Sequence, residues 1–196
     1  MPAGRPRAFD IDQALEQALR VFWKKGYEGT SLEDLTQAMG INRPSLYSAC
    51  GNKEELFRRA MELYACGPAG YFQEAMNQPT ARQVAARLMR EGIELVTNPR
   101  NPRGCFMVQG ALACGEEADK LRKEMSKRRQ AAEDGLRSRF ERAVSEGDLV
   151  RDADPAALAK YLCAVNYGLA VQAVGGASRS ELQAAADIAL RLFPEK

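Results

Sequence analysis

Residues 30–57 read TSLEDLTQAMGINRPSLYSACGNKEELF, and the spacing within this stretch decides the fold. Thr30 or Ser31 can cap a helix start. Glu33, three residues after Thr30, has the capping-box spacing in which side chain and backbone satisfy each other's orphan donors. Leu32, Leu35 and Met39 recur three and four apart and share one apolar stripe, while Glu33, Asp34 and Gln37 point elsewhere. Gly40 can take the left-handed conformation of a helix C-cap. Asn42 can cap a second helix, with Pro44 in its first turn, where a missing N–H costs nothing. In that second helix Leu46 and Cys50 lie four apart and can pack with Ile41 onto the first stripe. Arg43, Ser45, Tyr47 and Ser48 are left outside on a donor-rich face without a carboxylate. Asn52, Lys53 and Glu55 then open a third helix with another capping-box spacing. The pattern is that of a helix-turn-helix, although a bare helix-Gly-helix pattern suits an ordinary helical hairpin with a solvated face equally well.

Working outward, Asp10 can cap a long first helix whose Ile11, Leu15, Ala18, Leu19 and Phe22 keep the helical period up to Gly26. Trp23 and Tyr27 complete the same small core. Before it, Gly4-Arg5-Pro6-Arg7 is short and basic, which suits an arm lying along a phosphate backbone or in a minor groove.

The flanking residues sharpen the reading. Gly26-Tyr27, Thr30-Ser31, Gly40-Ile41, Leu46-Tyr47 and Lys53-Glu54-Glu55-Leu56-Phe57 stand in an order and spacing that resembles the tetracycline-repressor (TetR) family of bacterial regulators. The resemblance is specific over the first 60 or so residues and loose beyond. Where that family commonly closes the recognition helix with an aromatic residue, this chain has Cys50. The resemblance implies a homodimeric transcriptional regulator, mostly a repressor of a palindromic operator released by a ligand. Carried over by position, Thr30, Arg43, Tyr47 and Lys53 would contact phosphates or base edges, with Pro44, Ser45 and Ser48 alongside and Arg5 and Arg7 on the arm. Physical chemistry agrees, because a helix in the major groove reads bases with donors and small apolar groups, and a guanidinium can fork onto guanine.

Composition narrows the alternatives. The chain has 196 residues, 45% of them hydrophobic and 28% charged, with a net charge of +2. That is ordinary for a soluble globular protein and only weak support for nucleic-acid binding. Residues 1–58 balance eight basic against eight acidic side chains, so distribution matters more than the total. No stretch approaches the ~18 uninterrupted apolar residues of a membrane helix, and the N-terminus lacks a signal-peptide core, so the expected location is cytoplasmic, with no membrane partner. The 5 cysteines are widely spaced without a CxxC pair and histidine is absent, which argues against a disulfide framework, a zinc site or other metal centre and most hydrolase chemistry, and no cofactor is assigned. Acidic pairs such as Glu116-Glu117 sit where a helix start favours negative charge anyway, so no catalytic residue is assigned.

The remainder is expected to be helical too. A helix runs from Asn52 to Cys66, where Gly67-Pro68 breaks or kinks it before Tyr71, Phe72 and Met76. Thr80 with Gln83 starts the next, carrying Val84, Leu88, Ile93, Leu95 and Val96 to a loop at residues 98–103. Residues 104–115, GCFMVQGALACG, suggest a fully buried short helix, though short apolar runs fit a strand as well. Glu116 to Glu146 follows as the longest and most charged helix. Asp154-Pro155 opens a helix apolar nearly all round, AALAKYLCAVNYGLAVQAV, and a helix apolar on every side must be covered on every side. Ser178 to Phe193 supplies an amphipathic partner.

The expected architecture is all-α, with a three-helix DNA-binding domain at residues 1–50 and a larger helical effector-binding and dimerisation domain at 51–196. Tyr161, Val165, Leu169, Leu182 and Ile188 are the expected dimer contacts. A small apolar or amphipathic effector is expected among Tyr71, Leu88, Cys105, Phe106, Gln109 and Tyr167. Gly104-Cys105-Phe106 and Cys114 are similar to the corresponding region of TetR relatives that respond to electrophiles, which makes a cysteine-based sensor an alternative. A helical interaction protein that binds no DNA is the alternative from another class.

Overall fold

The computed structural model describes residues 10–112, 115 and 118–194. Ten helices follow one another among them, in the order α1 (Ile11–Lys25), α2 (Leu32–Met39), α3 (Arg43–Cys50), α4 (Lys53–Cys66), α5 (Tyr71–Met76), α6 (Ala81–Thr97), α7 (Phe106–Gln109), α8 (Asp119–Ser145), α9 (Pro155–Val174) and α10 (Arg179–Arg191).

Most helix starts obey the capping chemistry of the sequence. Asp10 accepts from the N–H groups of Asp12 and Gln13, Asn52 and Glu55 form a reciprocal capping box, Thr80 and Gln83 form another, and Asp154 accepts from Ala156 and Ala157 with Pro155 at the first helical position. One box is shifted. The cap of α2 is Ser31 paired with Asp34, one residue later than Thr30 with Glu33. Thr30 is unavailable because its hydroxyl donates to the Gly26 carbonyl at 2.6 Å and its side chain is 1% exposed.

Two apolar cores form. The first joins α1 to α4 through Leu19, Phe22, Trp23, Leu35, Leu46, Leu56 and Phe57, and continues up α4 to Tyr64. It also recruits Phe106, Ala111, Leu121 and Met125 from the C-terminal half. The second lies among α6, α8, α9 and α10, around Leu88, Met89, Leu136, Phe140, Leu162 and Leu182. Helix α4 and the segment carrying α7 therefore belong to both halves.

The stretch at 104–115 is not one buried helix. Among its described residues only Phe106–Gln109 are helical, and the chain then turns at Gly110. Gly104, at φ 89°, sets the entry to this turn in a conformation that suits glycine. Cys114 and Glu116-Glu117 lie outside the described residues, and α8 starts at Asp119.

Helix α9 is long and apolar enough, by length and composition, to cross a membrane, with 33% of the relevant window buried. In the fold it packs between α8, α6 and α10. Leu169 and Leu182, expected at a dimer contact, instead belong to the second core, at 7% and 3% exposure. Tyr161 and Val165 are half-buried against that core, and the Tyr161 hydroxyl donates to the Ala189 carbonyl at 3.1 Å. Of the five expected contacts Ile188 alone stands exposed, in company with Val171, Val174 and Leu192.

Candidate nucleic-acid interface and interior cavity

Helix α3 is fixed from behind. Leu46 is fully buried, Cys50 nearly so, and Ile41 packs beside them on the α1–α4 core. Gly40, at φ 67°, turns the chain from α2 to α3, with its own N–H and that of Ile41 closing on the last turn of α2. The Asn42 side chain then caps α3 through the Ser45 N–H at 2.8 Å. Helical geometry therefore sends Arg43, Pro44, Tyr47 and Ser48 outward, all exposed, with Tyr47 at 49% and Ser45 half-buried. Arg43 has no carboxylate partner among the described residues, and α3 carries no acidic residue.

Two expected DNA contacts are placed differently. The Lys53 ammonium sits 4.2 Å from the centroid of the Tyr27 ring at the start of α4, where it still borders the outer face. Buried Thr30 ties α2 to the end of α1 and presents no hydroxyl to a partner. Arg5 and Arg7 lie outside the described residues.

The second feature is a cavity of about 400 Å³ bounded by α4, α5, α8, α9 and the turn before α7. Of the six expected pocket residues, Tyr71, Cys105 and Tyr167 line it. Leu88 belongs to the second core. Phe106 points the other way, wedged edge-on between Phe57 and Tyr64 at centroid distances of 5.2 and 5.5 Å. Gln109 spends its amide on the carbonyls of Trp23 and Arg103. Sequence reasoning missed Tyr64, Phe72, Met76, Met107, Arg128 and Arg129, all of which line the cavity. On α8 the short side chains of Ala132 and Gly135 leave the space that the cavity occupies.

Burial dominates the chemistry of the wall. It pushes the Cys105 thiol up, opposed by the Tyr64 hydroxyl, which donates to Sγ at 3.2 Å. It also pushes the Tyr71 and Tyr167 phenols well above their ordinary range. Among the described residues no group of acidic, cysteine or histidine side chains could hold a metal ion.

Cavity and outer face are physically joined. Helix α4 carries Tyr64 in the cavity wall and Asn52 beside the end of α3. The Arg58 guanidinium grips both oxygens of Glu124, at 2.9 Å each, and Arg128 pairs with Glu62, so α4 is strapped to α8. From the same wall, Cys105 and Met107 lead to Gly110, whose carbonyl accepts the Tyr27 N–H at 2.8 Å, while the Trp23 indole donates to the Gly104 carbonyl at 3.0 Å. The end of α1 is thus clamped to the segment that closes the cavity.

Comparison with known proteins identifies both halves. Residues 14–60 match the family described as bacterial regulatory proteins, tetR family, and residues 82–189 match the tetracyclin repressor-like C-terminal domain. The HTH-type transcriptional repressor ComR of Escherichia coli is 30% identical over 98% of this chain and 92% of its own length. YezE of Bacillus subtilis, an HTH-type regulator, is 32% identical over 97% of this chain and 99% of its own. A cysteine mutant of the regulator CifR, solved in complex with 26-bp double-strand operator DNA, superposes with a TM-score of 0.93 at 42% identity, over 97% of this chain and 100% of that one.

Proposed function

The chain belongs to the TetR family of bacterial transcriptional regulators and is a DNA-binding regulator; from that premise we propose that it represses as a homodimer on a palindromic operator and leaves it when a small effector fills the cavity beside Cys105. One observation supports the DNA-reading surface most. Helix α3 is anchored by Leu46 and Cys50 and carries Arg43, Tyr47 and Ser48 outward with no acidic neighbour on the helix. Arg43 is assigned to a base edge, Tyr47 and Ser48 to the flanking backbone, and Lys53, Arg5 and Arg7 to phosphates. The division into a DNA-binding unit at 1–50 and an effector and dimerisation unit at 51–196 is proposed with α4 as their shared lever.

The test is a shift titration on DNA flanking the chain's own gene. Arg43→Ala should cost ~1–3 kcal/mol on the specific site and much less on unrelated DNA. Equal affinity of Arg43→Ala and wild type would remove α3 as the reading helix.

The dimer reading rests on the exposed stripe of α9 and α10. Ala157, Ala164, Gly168 and Val171 on one helix and Ala185, Ile188 and Leu192 on the other recur at three, four and seven residues, so each set shares a face. Small residues let helices approach closely, and covering exposed Val171, Val174, Ile188 and Leu192 contributes roughly 1 kcal/mol each per subunit.

A second reading, thiol-based sensing, is favoured by one observation. Cys105 is half-buried and lines the cavity. Burial keeps that thiol protonated at neutral pH, so alkylation by an electrophile should quicken as pH rises. If Cys105→Ser abolishes DNA release by electrophiles, sensing runs through the thiol; full release returns the switch to a reversible ligand.

A further inference from the structure

The cavity wall is apolar over most of its area but carries charge of one sign. Arg128 and Arg129 line it, and no aspartate or glutamate does. The two guanidinium groups differ in what they hold. Arg128 is neutralised by Glu62. Arg129, half-buried on α8, donates to the Met107 carbonyl at 2.8 Å and has no ion pair with any carboxylate among the described residues. Its field reaches across the wall, pulling the Cys105 thiol and the Tyr167 phenol down against the burial that raises them. The acid that acts on the neighbouring Tyr71, Glu91, is held by Arg87 at 2.8 Å. A guanidinium has five donors in a planar fork, and one partly withdrawn from water without a counter-charge is matched best by a flat two-oxygen anion. At about 400 Å³ the space lies near the lower end of ordinary small-molecule sites.

We propose that the effector is a small amphipathic anion, an aromatic or branched apolar body against Tyr64, Phe72, Met76 and Met107, with a carboxylate on the free donors of Arg129. The inference rests on the effector-cavity reading above and adds the ligand's charge. A neutral ligand of the same shape would gain the apolar contacts and leave Arg129 uncompensated. The carboxylate gains a charge-assisted pair where water is partly excluded.

The experiment is calorimetric titration of the full chain with aromatic carboxylates, 4-phenylbutyrate, indole-3-acetate and 2-naphthoate, each beside its primary amide. At least one acid should bind about tenfold or more tightly than its amide. Arg129→Gln should erase that preference while keeping amide binding, and Arg137→Gln, which removes an equal charge from the solvent side of α8, should preserve it. Ala132→Phe, which fills the cavity, should abolish both. Acid and amide binding equally, a preference that survives Arg129→Gln, or no acid binding at millimolar concentration would overturn the anion inference. If Ala132→Phe abolishes binding of an acid and amide that bind equally, the cavity reading stands and only the charge falls. Binding untouched by Ala132→Phe overturns both.

Discussion

Thr30 and Arg43 both sit on the stretch that defines the fold, yet one side chain is buried and the other exposed. Thr30 is turned inward to the Gly26 carbonyl, so Thr30→Val should lower thermal stability by ~1 kcal/mol through the carbonyl it strands, and leave the operator affinity of the folded protein unchanged. A melting curve beside a shift titration separates the two effects. Asp34 offers a pH signature. The Lys25 ammonium, with the Ser31 backbone and hydroxyl behind it, pulls its carboxyl down to about 2 from 3.8. A depressed folded-state value stabilises the protein fully above the unfolded value and loses that contribution as pH falls from 3.8 towards 2. Asp34→Asn should therefore show a flatter loss of melting temperature between pH 5 and 2.5 than wild type. Parallel curves would contradict the Lys25–Asp34–Ser31 cluster. Residue periodicity told which side chains of α3 point out, because Leu46 and Cys50 fix one face. It could not tell that Thr30 would be buried, since that depends on where the chain from α1 arrives.

At the scale of elements, α4 and the short α7 are the packed links between the two halves. Phe106 fills the space between Phe57 and Tyr64, and its truncation should cost ~3–5 kcal/mol. Leu88→Ala, in the second core, should cost ~2–5 kcal/mol. The two variants should nonetheless differ, Phe106→Ala weakening operator binding at temperatures where it remains folded and Leu88→Ala sparing it. Circular dichroism melts with a shift assay on both proteins would reveal it. The same elements mark where sequence legibility ended. Helix starts were readable from Asp10, Asn52, Thr80 and Asp154 because a cap needs only neighbours within four residues. The apolar run at 104–115 suggests a helix with Phe106 and Gln109 in a pocket, whereas three glycines leave room for a single turn that aims both side chains at the α1–α4 side. Cavity-lining Arg129 and Met76 were not legible, because no local pattern tells an arginine beside a cavity from one in water.

For the whole molecule, the proposed dimer would present two α3 helices to one duplex. The apolar all-round sequence of α9 pointed to that partnership, but Leu169 and Leu182 went to the subunit's own core, leaving Val171, Val174, Ile188 and Leu192 outside. Which apolar face is left over follows from how α6 and α8 pack, and only the assembled fold reveals it. Sedimentation velocity of the chain at micromolar concentration, alone and with its operator duplex, tests the claim most directly, with Ile188→Glu run beside wild type. Wild type should sediment as a dimer that binds the duplex two chains at a time, and Ile188→Glu as a monomer with at least tenfold weaker operator binding. A wild-type monomer that binds as a single chain, or an Ile188→Glu protein that stays dimeric with full affinity, would contradict that claim.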